Sequence, residues 1–293
     1  MKPSGWLAVE NTVNGMIETT KKRKELKKMK NFKRALTLLL AGIMAASVLA
    51  GCNQKADNQI IMGLDDSFPP MGFSDDNGEL VGFDIDLAKA VAEKAGFELK
   101  LQPINWSSKE TELDTGKVDV LWNGLTITDK RKEAMTFTEP YLKNRQVVIV
   151  LADSNINTLA DMKDKTIVLQ EGSTAVTALD SEENKAFKDG LKGEPTLFAD
   201  NLKCFMEVEL KRADAVVIDE IVADYFMNQE TQKGKFRKLD EYLADELYGI
   251  AVKKGNTELR DKIQNALNEL DKEGKIAEIC KTWFGEDVYY RGE

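Results

Sequence analysis

From residue 59 onward short apolar runs alternate with amphipathic stretches. Residues 59–63 read as a β-strand. Leu87, Ala88, Val91, Ala92 and Ala95 then recur at helical spacing, with Asp84 as the expected N-cap and Gly96 as the stop. Residues 98–102 alternate as a strand does, and 118–122 form a second apolar strand. Thr128 is placed to cap a short helix. Residues 146–151, 166–170 and 215–218 are β-branched runs, and Leu259, Ile263, Leu267 and Leu270 make one helical stripe between Asn256 and Gly274. Strand–helix alternation of this kind predicts an α/β fold with mostly parallel sheets. In such folds ligands sit beyond the carboxyl ends of strands, where helix N-termini present free N–H groups.

The first fifty residues follow another pattern. Lys30, Lys33 and Arg34 precede an apolar run over 35–50, which is short for a membrane span, and small residues lead to Cys52. Residues 29–51 are therefore expected to be a secretory signal. Leu49-Ala50-Gly51-Cys52 looks like a bacterial lipobox, whose cysteine thiol receives a diacylglycerol, and polar residues 52–57 suit a tether. Residues 1–28 fit neither signal nor domain. Translation is expected to start at Met29, since Lys24-Glu25 can be encoded as a ribosome-binding sequence; a basic N-terminal extension is the competing reading.

Charge and composition narrow the chemistry. The 293 residues are 42% hydrophobic and 31% charged, as in globular chains, with a net charge of -9. Removing residues 1–51 takes away ten of the 41 basic and three of the 50 acidic residues and leaves -16. That balance argues against nucleic acid and against affinity for anionic lipid head groups. There is no histidine, which removes the usual Ser-His-Asp and Cys-His nucleophiles and His-based zinc sites. No Cys-x-x-Cys pair is present, so no redox or thiolate metal site is suggested.

Candidate site residues follow the strand ends. After the first strand come Asp65-Asp66-Ser67-Phe68 and, further on, GFDIDL at 82–87. Asn123-Gly124-Leu125-Thr126-Ile127-Thr128-Asp129-Lys130-Arg131 follows the third, Glu171-Gly172-Ser173-Thr174 a later one, and Asp219-Glu220 another. With the closing Lys281-Thr282-Trp283-Phe284-Gly285, these segments resemble, in order and spacing, the polar amino-acid family of bacterial extracellular solute-binding proteins, the family 3 receptors of ABC importers. The resemblance runs from about residue 59 to 288.

The resemblance implies a two-lobed periplasmic-binding-protein-like fold of type II, each lobe a mostly parallel sheet flanked by helices, joined by two hinge crossovers. Lobe one would be 58–146 plus the returning 244–293, and lobe two 147–243, with hinges near 145–148 and 245–249. It implies capture of a free L-amino acid outside the cell, delivery to an ABC transporter permease, and attachment to the cell membrane through lipid on Cys52 alone. No cofactor, metal or catalysis is expected.

The residues bear this out chemically. An amino acid presents a planar carboxylate and an ammonium on one carbon. Arg131 offers a guanidinium fork that matches the carboxylate, aided by Thr126 and by Gly124 through a carbonyl or N–H. Ser173 and Thr174 would donate from the other lobe, and Asp219 would accept from the ammonium. Phe68 and Trp106 match family positions where rings stack on the ligand; Asp65 matches one that reaches its distal end; Asn123 lines the mouth or floor. Trp122 reads equally as core. Two acids, Asp65 and Glu171, disfavour aspartate or glutamate and suit arginine, lysine, histidine or a neutral polar amino acid such as glutamine or cystine. Asp84 and Asp86 read as caps and turn-formers rather than metal ligands. Cys204 and Cys280 are expected as free thiols, because a bridge would tie the lobes together. Two rival readings are a dehydratase-type enzyme on the same fold, with Glu171 as general acid, and the sensing domain of a receptor, which would need a membrane span after Cys52.

Overall fold

A computed structural model describes residues 58–292. The expectations for Met29 and for Cys52 lie outside these residues.

β1 (Gln59–Leu64) leads through a small antiparallel sheet of β2 (Ser67–Phe68), β3 (Gly72–Ser74) and β4 (Leu80–Val81) into helix α1 (Phe83–Ala95). Then come β5 (Glu98–Pro103), α2 (Lys109–Asp114), β6 (Val120–Leu121), α3 (Asp129–Ala134) and β7 (Met135–Phe137). The long β8 (Leu142–Leu151) is followed by β9 (Ile167–Gln170), α4 (Thr174–Leu179), α5 (Lys185–Gly190), β10 (Thr196–Phe198), α6 (Asn201–Glu209), β11 (Ala215–Asp219) and α7 (Glu220–Met227). The chain returns through β12 (Phe236–Tyr248) to β13 (Ala251–Lys253), α8 (Thr257–Lys272) and α9 (Lys275–Phe284).

Two five-stranded sheets result, ordered β5-β1-β6-β13-β7 and β10-β9-β11-β8-β12. Pairing is parallel through the first three strands of each and antiparallel on both sides of β13 and of β8. One strand per sheet is thus reversed and the other four share a direction, which is the mostly parallel architecture expected. β8 and β12 form the connecting ribbon, in register from Leu142↔Tyr248 through Arg145↔Asp245, with irregularities beyond Ala244. The expected lobe limits at 146/147 and 243/244 fall inside these two strands.

Local rules account for most elements. Asn256 caps α8 by accepting from the Leu259 amide at 3.2 Å, and the stripe Leu259, Ile263, Leu267 and Leu270 is buried against the first sheet and α1. Gly96 closes α1 in the left-handed conformation. Two expectations need correction. The strand foreseen over 118–122 is paired only at Val120–Leu121, although its flanks are buried. Asp84 is not a cap: Gly82 takes that position, and Asp84 lies in the first turn of α1, fully buried. Its Oδ1 accepts from Trp122 Nε1 at 3.2 Å, and its Oδ2 from the Gly124 amide at 2.7 Å and Tyr141 OH at 2.9 Å. Trp122 is accordingly core, packed edge-on to Tyr141. Asp86 accepts from Trp283 Nε1 at 3.0 Å and tethers α9 to α1. Cys204 and Cys280 are buried free thiols.

Candidate ligand-binding cleft

Arg131 is positioned by strictly local chemistry. The Thr128 hydroxyl accepts from the Arg131 amide at 3.1 Å, which starts α3 and fixes Arg131 in its first turn. The guanidinium turns inward, 7% exposed, and Nη1 donates to the Thr126 carbonyl at 2.9 Å. Nη2 reaches the Gly172 carbonyl of the opposite lobe at 3.4 Å. Five N–H groups leave further donors for a planar anion. Burial lowers the guanidinium pKa, and Glu110, Glu246 and Asp219 pull it back up.

Gly124 stands at φ +59°, and a Cβ there would lie 2.6 Å from Phe68 Cε1. Only glycine lets the Phe68 ring close over this turn. Since the Gly124 amide is bound to Asp84, its carbonyl is the group left to meet a ligand. The Thr126 hydroxyl lies 3.1 Å from the Thr174 hydroxyl across the cleft and donates to Glu246 Oε2 at 3.1 Å.

The facing lobe brings Asp219 from the end of β11. Its Oδ1 accepts from Tyr248 OH at 2.6 Å and Asn144 Nδ2 at 2.7 Å, and the same Asn144 nitrogen donates to Glu246 Oε2 at 2.8 Å. Burial, and then the Glu246 charge, raise the Asp219 pKa. Arg131, Thr126, Thr174 and Asp219 therefore belong to one buried polar cluster, completed by Asn144, Gln146, Glu246 and Tyr248.

Asp65 sits at the far end. Its Oδ1 accepts from the Ser67 amide and hydroxyl at 2.9 and 2.6 Å, and its Oδ2 from Gln170 Nε2 of the opposite lobe at 2.5 Å. Burial raises its pKa against these hydrogen bonds. Gln170 is held in turn by the Ala199 carbonyl and by Asn201.

Three expected contacts have partners within the protein, and the further acid Glu171 lies apart from them. The Ser173 hydroxyl donates back to the Gln170 carbonyl at 2.8 Å, so it closes the strand end instead of offering a donor to the cleft. Asn123 turns its amide to the Asp65 carbonyl at 3.2 Å and props that loop. The Trp106 ring carries a cation of the chain's own, Lys109, whose Nζ lies 5.1 Å from the ring centroid. Glu171 is exposed at the surface.

Lys109 and Glu246 are the charged residues the sequence did not announce. Lys109 Nζ, 3% exposed, donates to the Trp106 carbonyl and across the cleft to the Gly172 carbonyl at 2.7 Å. Burial, then the neighbouring Arg131, push its pKa down to about 7. Gly172 has φ +74°, and a Cβ on it would meet Ser107 Cα at 2.8 Å, so the lobes approach backbone to backbone here. The available signal for Lys109 was its spacing three residues after Trp106 on a helical turn. Glu246 gave none.

A guanidinium and a carboxylate from opposite lobes, joined by threonine hydroxyls and strand ends, suit a zwitterion. The model of the bacterial extracellular solute-binding proteins, family 3, matches residues 60–286. The chain belongs to that family. It is 30% identical over 256 residues to the arginine-binding extracellular protein ArtP of Bacillus subtilis, covering 84% of this chain and 96% of that protein. It is 26% identical to the L-cystine-binding protein TcyJ of Escherichia coli, over 85% and 96% of the two chains. A substrate-binding protein of an ABC uptake transporter from Streptococcus pneumoniae, solved with bound histidine, superposes with a TM-score of 0.78 at 35% identity, over 80% and 96%. This family member therefore has the two-lobed, hinged fold of amino-acid-binding proteins. Among its described residues no group of acidic or cysteine side chains is arranged to hold a metal, and no helix is long and apolar enough to cross a membrane.

Proposed function

We propose that the protein binds one free polar or cationic L-amino acid between its lobes, outside the cell, and delivers it to the permease of an ABC importer. The observation that carries this is the burial of Arg131 and Asp219 from opposite lobes in one hydrogen-bonded cluster. Arg131 takes the carboxylate and Asp219 the ammonium, with Thr126 and Thr174 beside them and the Gly124 carbonyl at the turn. A ligand that bridges both lobes favours the closed arrangement by its differential affinity for it.

The acids Asp65, Asp219 and Glu246 against Arg131 and Lys109 disfavour an acidic side chain on the ligand. Relatives named for arginine and cystine, and a neighbour holding histidine, agree with the amino-acid class and leave arginine, lysine, histidine, glutamine and cystine as candidates. Phe68 and Asp65 shape the distal end. We read the protein as a binder rather than a catalyst: the acid named for a dehydratase, Glu171, lies on the surface. We assign Cys52 as the lipidated residue that holds the protein at the cell membrane.

Thermal-shift screening of the purified chain against the common L-amino acids tests the ligand class. One or a few should raise the melting temperature, and Arg131→Ala should abolish the rise while folding normally. A well-folded wild-type chain that responds to none would falsify the class. Labelling of growing cells with a palmitate analogue tests the anchor: the label should be lost in Cys52→Ser.

A further inference from the structure

Glu246 is 8% exposed on β12, opposite Asn144 of β8. Its Oε2 accepts from Asn144 Nδ2 at 2.8 Å, Gln146 Nε2 at 3.0 Å and the Thr126 hydroxyl at 3.1 Å. Asp219 Oδ1 accepts from that same Asn144 nitrogen. Two buried carboxylates thus share one amide nitrogen, and the donors that serve them are amides and hydroxyls, all neutral.

Such a pair is costly to bury unless a cation meets it. Arg131 senses both acids and is itself flanked by Glu110 and Lys109, and Tyr248 donates to Asp219. Lys132, Lys143, Arg145, Glu220 and Asp245 line a cavity on which Asn144 and Glu246 also border. The Arg131 guanidinium is one positive charge against two negative ones, and Lys109 is committed to the Trp106 and Gly172 carbonyls.

A second, independent observation points to a donor at the same place. The side chain of Gln146 is wholly buried, and while its Nε2 serves Glu246, its Oε1 has no hydrogen-bond partner. An acceptor left over beside two carboxylates calls for a group that carries positive charge and several N–H bonds.

We propose that Glu246, delivered by the hinge strand, joins Asp219 and the Gln146 carbonyl oxygen in a subsite that takes the ligand's α-ammonium. This rests on the amino-acid reading above and adds a residue to it. Three acceptors match the three N–H bonds of an ammonium. Because Glu246 lies on the β8–β12 ribbon, occupation of the subsite acts on the hinge itself.

The test is calorimetry on the full chain and on Glu246→Gln. The ligands are L-arginine, L-lysine, L-histidine, L-glutamine and L-cystine, each paired with its des-amino analogue (guanidinovalerate, 6-aminohexanoate, imidazolepropionate, glutaramate and dithiodipropionate). For the amino acid that wild type binds, the substitution should cost about tenfold to a hundredfold in affinity, and nothing for the analogue. The melting temperature of the free chain should hold, since glutamine keeps an acceptor for Asn144 and Thr126. Equal losses for both members of a pair, or no loss for the amino acid, would overturn the assignment and leave Glu246 structural. A wild-type chain that binds none of the amino acids takes down the underlying reading, and this assignment with it. If Glu246→Gln fails to fold, Glu246→Asp, which draws the charge back by one methylene, should show the same split.

Discussion

Asp84 and Asp219 are both buried, both follow or precede a helix start, and burial raises the pKa of both, that of Asp84 to about 7. They differ in their partners. Asp84 spends both oxygens on three fixed donors of its own lobe, Trp122, Gly124 and Tyr141. Asp219 receives Tyr248 and Asn144 on Oδ1, with Gln146 as a further donor, and it shares its surroundings with a second acid and with Arg131 of the facing lobe. A perturbed carboxyl does not by itself mark a binding site. The distribution of donors over its oxygens, and the presence of opposite charge across a cleft, separate a fastener from a ligand contact.

Replacing each aspartate by asparagine sharpens the contrast. Asp219→Asn keeps an oxygen for Tyr248 and Asn144 but loses the charge, so calorimetry should show an affinity loss of about 2–5 kcal/mol with an unchanged or higher melting temperature. Asp84→Asn must turn its NH2 toward one set of donors. Denaturant unfolding should show a loss of about 1–3 kcal/mol for each donor left orphaned, while the folded fraction binds ligand normally. If both variants lose affinity and stability alike, the distinction fails.

A smaller effect is expected where the lobes touch. Gly172→Ala places a methyl group against Ser107 in a left-handed conformation. It should cost about 1 kcal/mol in stability and weaken ligand affinity by holding the lobes apart. A scattering profile of the liganded variant more extended than wild type would be the sign.

The mildest test is pH. The folded pKa of Asp84 lies above its ordinary 3.8, so its contribution to stability is full below that value and is lost as pH rises through about 7. Ligand affinity should move the other way. Acidification from about pH 8 to about pH 5 protonates Asp219 and weakens binding, and the Asp219→Asn chain should lose that dependence.

What could be read in advance was local or periodic. The Thr128 cap and Arg131 three residues on, the Leu259 stripe and the Gly96 stop each depend on residues within a few positions. What could not be read depends on strand pairing over long separations. Asn144, Gln146 and Glu246 look like ordinary polar positions of two strands, and they converge only because β8 pairs with β12 about a hundred residues later. Asp84 looked like a cap because it stands just ahead of the stripe that begins at Leu87; the helix already starts at Phe83, and the partners of Asp84 come from Trp122, Gly124 and Tyr141. Ser173 stands at the expected helix start, yet its hydroxyl satisfies the strand it follows.

A crystal structure with the L-amino acid that most raises the melting temperature addresses the clamp directly. The ligand carboxylate should lie on the Arg131 guanidinium and its ammonium within hydrogen-bond reach of Asp219, between the two sheets. A ligand seated elsewhere, or one whose ammonium faces away from Asp219, would contradict the account.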